Sequence, residues 1–119
     1  MKNKMSEFVL MFRMDITSKE AQPTPEQIEI YLEQWGKWIN DIATQNKLAD
    51  GGNHLSTEGR VLRSNNVITN GPYTEKGESI AGYIIIKVTN FDEAVKIAKA
   101  CPILQGDGTS VEVRKVVAM

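Results

Sequence analysis

With 119 residues, 41% of them apolar and 24% charged, the chain has the make-up of one globular domain over 1–119, and neither disorder nor a second domain is expected. A net charge of −1 without a basic block argues against nucleic acid or an anionic membrane as a partner. No apolar run approaches the length of a bilayer span, no signal-peptide cleavage pattern follows MKNKMSEFVLMF, and the single Cys101 fits a reducing cytoplasm.

Ser6 to Met14 reads as a first strand. Phe8, Leu10, Phe12 and Met14 alternate with Val9, Met11 and Arg13, and both sets begin apolar, as in a central strand covered on two sides. Asp15 to Pro23 is polar and reads as a loop. Thr24-Pro25-Glu26-Gln27 carries the capping residue, the first-turn proline and the capping-box partner of a helix start. Ile28, Leu32, Trp35, Ile39 and Ile42 then form an apolar stripe, flanked by Tyr31 and Trp38, to an end near Gln45-Asn46.

Leu48 to Thr57 reads as a strand with a bulge at Gly51-Gly52. Arg60–Arg63 and Val67–Thr69 predict a hairpin closed by Ser64-Asn65-Asn66. Asn70 to Ser79 is a loop, and Ile80 to Thr89 the clearest strand. A second helix starts at Asn90, with Glu93 completing a capping box. It presents Phe91, Ala94, Val95, Ala98 and Cys101 on one face and stops at Pro102. Ser110 to Val117 is a half-exposed last strand. The order predicts an α+β fold: a ferredoxin-like split βαβ with an antiparallel sheet, two helices on one face and an extra β-hairpin.

Few side chains offer chemistry. His54, the only histidine, is the one candidate acid or base; Asp15, Asp50 and Glu58 are conceivable partners. Asn70-Gly71-Pro72-Tyr73 has the residues of a tight turn, and its Asn70 and Tyr73 are candidates for polar contacts at a cleft mouth. Arg60 and Arg63 bracket Val61-Leu62 and suit an anionic ligand, although exposed hairpin arginines are commoner. Trp38 is a candidate pocket wall set against core packing. No spacing suggests a metal site, and no Gly-rich loop precedes a helix, so no cofactor is expected.

Asn70-Gly71-Pro72-Tyr73, Ala81-Gly82-Tyr83, Asp92-Glu93-Ala94, Cys101-Pro102 and Ser110-Val111-Glu112-Val113-Arg114 follow one another in order. Together they resemble the YCII-related family, in its DGPF subgroup. That resemblance implies a homodimer, with two ferredoxin-like sheets face to face in a dimeric α+β barrel. It also brings a His-Asp pair proposed as catalytic in some members, relatives acting on chlorinated aromatics, and an association of DGPF members with sigma factors. Asn70 stands where the subgroup motif has Asp, and an amide cannot act as a carboxylate base. Three readings follow: a protein binding a small organic molecule; a cofactor-free lyase, isomerase or dehalogenase using His54; or a regulatory module acting through protein contacts.

Overall fold

The computed structural model describes residues 4–16, 24–75, 77–106 and 108–117. Most of the predicted Asp15–Pro23 loop lies outside them. The elements are β1 (Ser6–Asp15), α1 (Pro25–Thr44), β2 (Leu48–His54), β3 (Arg60–Arg63), β4 (Val67–Asn70), β5 (Glu78–Val88), α2 (Phe91–Lys99) and β6 (Ser110–Lys115). Strands β2-β5-β1-β6 form one antiparallel sheet, and β3-β4 form a separate two-stranded ribbon.

The central strands sort their side chains by parity. Phe8, Leu10 and Phe12 of β1 and Ile84, Ile86 and Val88 of β5 are buried beneath the helices. Their neighbours Val9, Met11, Tyr83 and Ile85 are half-buried on the opposite, open face, where Val9 pairs with Ile85 and Met11 with Tyr83. The molecule measures 50 × 43 × 19 Å, its short axis matching one sheet plus one helix layer. Its radius of gyration, 15.9 Å, exceeds the ~13.5 Å of a compact chain this long.

The capping box of α1 forms in both directions: Gln27 N donates to Thr24 Oγ1 at 3.2 Å and Thr24 N to Gln27 Oε1 at 2.9 Å. The apolar stripe is only half used. Trp38 and Ile42 are buried and Trp35 and Ile39 partly so, whereas Ile28 and Leu32 stay exposed. The exposed members lie in the first two turns of α1, where Tyr31 is the residue that packs against the core. The second helix departs similarly: Ala94 and Ala98 are buried, as is Cys101 just past its end at Lys99, but Phe91 and Val95 are exposed. Phe91 still meets Phe8 edge-to-face at 4.8 Å.

Half of the second capping box forms. Asn90 Oδ1 accepts from Glu93 N at 2.9 Å, but the Glu93 carboxylate accepts from Thr89 Oγ1 at 2.8 Å and Thr89 N at 3.4 Å, and pairs with Lys47 at 3.1 Å. The Thr89 hydroxyl bond, and then Lys47, hold this carboxyl below its ordinary 4.5. The unfolded chain therefore takes up the proton first as pH falls. The stabilisation is complete above about 4.5 and is lost as pH drops through the lower folded value. Glu93→Gln is expected to flatten the acid limb of a urea-melt stability curve; an unchanged limb would remove Glu93 from this role.

Candidate functional site

Gly52 lets β2 bend. Its φ of 65° is left-handed, its amide donates to Asp50 Oδ1 at 2.7 Å, and pairing with β5 slips on both sides of Asp50. This is the bulge expected at Gly51-Gly52, and the strand ends at His54 rather than Thr57. Leu55 N then donates to Ala81 O at 2.8 Å, and the chain passes through Ser56 and Glu58 into the hairpin. Asn65 and Asn66, both with left-handed φ, close the ribbon at the expected place.

Gly71 N donates to Gly59 O at 2.7 Å, so the Asn70–Tyr73 turn returns the chain beside the ribbon's base. Ser79, buried, donates from Oγ to Tyr73 O at 2.6 Å and ties this turn to the start of β5. A register slip between Phe12 and Arg13 sets Arg13 opposite Ile80.

These returns border an open cleft of about 500 Å³. Leu55, Pro72, Tyr73 and Ile80 give it apolar walls, and Arg13, Ser56, Glu58 and Arg60 its polar groups. Arg13 Nη2 donates to Glu112 Oε1 at 3.1 Å, and this bond, with a second from Arg114, holds the Glu112 carboxyl below its usual range. Arg60 Nη1 donates to its neighbour Gly59 O at 2.7 Å, one of the five N–H donors of its guanidinium. The cleft can hold a small molecule with an apolar body and an anionic group.

The residues singled out from sequence separate into three places. Tyr73 lines the cleft, and the Arg63 guanidinium stacks over its ring at 5.6 Å. Asn70 ends β4 opposite Arg60, exposed and outside the lining. His54 is exposed, pairs with Gly82, and lies 5.9 Å from the ring of Trp35; no side chain among the described residues hydrogen-bonds its ring. Trp38 is in the core, 7% exposed, with Nε1 donating to Ile97 O at 3.2 Å. Arg13, Leu55, Ser56 and Ile80 escaped the sequence reading. The one available signal was a charge, Arg13, interrupting an apolar strand.

Cys101 is buried, and burial pushes its thiol up to about 12, so it stays protonated at neutral pH. Tyr31 is raised to about 12, by burial and then by Cys101. Among the described residues no three His, Cys, Asp or Glu side chains converge on a metal position, and no helix is long and apolar enough to cross a membrane.

No curated protein matches the chain significantly. The YCII-related domain matches residues 16–119, everything after Asp15 and thus every element but β1. An α+β sheet with two helices on one face, an inserted hairpin and a domain match across nearly all of its length place this chain in the YCII-related domain family.

Proposed function

We propose that this protein binds a small organic anion in the cleft at the hairpin base, and does so as a homodimer of the DGPF type. The carrying observation is the lining itself, in which Pro72 and Tyr73 occur together with Arg13 and Arg60: apolar surface and guanidinium groups share one concavity of ligand size. The geometry favours binding over acid–base chemistry, because His54 lies outside that concavity while its neighbour Leu55 lines it. The dimer is supported by the open sheet face. Val9, Met11, Tyr83 and Ile85 form an apolar centre, and a second copy laid sheet to sheet would close the dimeric α+β barrel.

The test is an NMR titration with small aromatic and aliphatic carboxylates, benzoate first, beside neutral and cationic counterparts. Carboxylates are expected to shift the amides of Ser56, Tyr73 and Ile80. Tyr73→Ala or Arg60→Ala should weaken that binding about tenfold, the loss of one charged or aromatic contact. A panel in which no compound moves these amides overturns the binding reading. Ile85→Glu should turn a dimer into a monomer in sedimentation; a wild-type monomer overturns the pairing.

A further inference from the structure

The β3–β4 ribbon is a sheet of its own, and two strands alone are barely stable in water. Its two faces differ. One carries Val61, half-buried, and Arg63, which stacks on Tyr73, so this face turns toward its own chain. The other carries Leu62 and Ile68, directly opposed in register and 73% and 63% exposed. A cross-strand apolar pair this open is unpartnered within one copy.

A second unpartnered surface lies on the first turns of α1. Ile28 and Leu32, one turn apart, are 42% and 54% exposed. Beside them run Glu29 and Glu33, also one turn apart, with Glu26 before them and no basic residue until Lys37. From Arg60 to Asn70 the hairpin has two arginines and no acid. The two surfaces are complementary: each has an apolar pair, one on a hairpin that carries two arginines and no acid, the other beside a row of carboxylates.

We propose that in the homodimer the outward face of each hairpin clasps the first turns of the partner's α1. Leu62 and Ile68 cover the partner's Ile28 and Leu32, and the acid-free hairpin lies along its row of Glu26, Glu29 and Glu33. The inference rests on the homodimer reading above and adds a contact distinct from the sheet faces. Two-fold symmetry makes the contact twice, so one surface of each kind per chain closes the assembly without leaving a sticky end.

Sedimentation of Leu62→Asp and Leu62→Lys, alone and combined with Glu29→Lys/Glu33→Lys, tests this. Both variants lose the apolar contact, and only aspartate meets the acidic row with like charge. Leu62→Asp is expected to weaken dimerisation about thirtyfold or more, the effect of one anchor residue. Leu62→Lys should weaken it by a smaller factor, and the two lysines on α1 should reverse that order. Circular dichroism checks that each variant keeps its fold; Glu29→Lys/Glu33→Lys alone, on an exposed helix face, should fold normally and also weaken the dimer. If every one of these variants dimerises as wild type does while Ile85→Glu dissociates, the clasp is wrong and the sheet-face dimer stands. Loss of dimer that ignores the sign of the charge points to a different occupant of the hairpin and overturns the assignment to α1. A monomeric wild type removes both.

Discussion

Gly52→Ala is expected to destabilise the protein by about 4 kcal/mol or more, a large share of the total for a domain of this size. A Cβ at this position would stand 1.6 Å from Tyr83 O and 2.6 Å from Tyr83 C, both backbone atoms of the neighbouring strand. No side-chain rotation relieves such an overlap; β2 would have to leave β5. The left-handed φ of 65° adds the ordinary cost of that conformation for a residue with a side chain. Gly51→Ala is the matched control. Nothing lies within 4 Å of its would-be Cβ and its φ is unstrained, so a change within about 0.5 kcal/mol is expected. Urea melts of the pair decide the point. Equal stability would mean that the bulge is not held by close backbone approach.

Phe12→Ala carries the second large effect, about 3–5 kcal/mol. The ring is 2% exposed and meets Trp35 edge-to-face at 4.8 Å and Trp38 at 6.0 Å, joining α1 to the centre of the sheet. Its removal leaves a cavity beneath two indoles that the rest of the core cannot fill, since Trp38 is held by its bond to Ile97 O. The loss should appear in the urea midpoint and as a change in tryptophan fluorescence. A ΔΔG near 1 kcal/mol would show that α1 settles onto the sheet without this ring.

What the sequence discloses depends on how local the cause is. The start of α1 is legible because Thr24 and Gln27 bond each other across one turn. The hairpin is legible because two asparagines tolerate the left-handed turn between alternating strands. The bulge is legible because glycine permits a backbone contact that no other residue survives. The reach of the core along α1 is not local: Ile28 and Leu32 keep the stripe's spacing, but whether sheet lies beneath them depends on where distant strands end. The exchange of roles between Trp35 and Trp38 is likewise not local, since it depends on how the helix sits on the sheet. The cleft is the least legible feature. Arg13, Leu55 and Ile80 come from three segments joined through register slips, and one step along β2's exit decides that Leu55 and not His54 faces the cavity.

The irregular course of β2 also bears on how the protein behaves when concentrated. This strand is one border of the four-stranded sheet, and a border with evenly spaced amides invites an incoming strand to extend it. The slips around Asp50 break that spacing, so a foreign strand finds no continuous ladder of donors and acceptors. At the far border β6 is short and bears Glu112, Arg114 and Lys115. Lateral growth toward fibrils is thus discouraged at both margins.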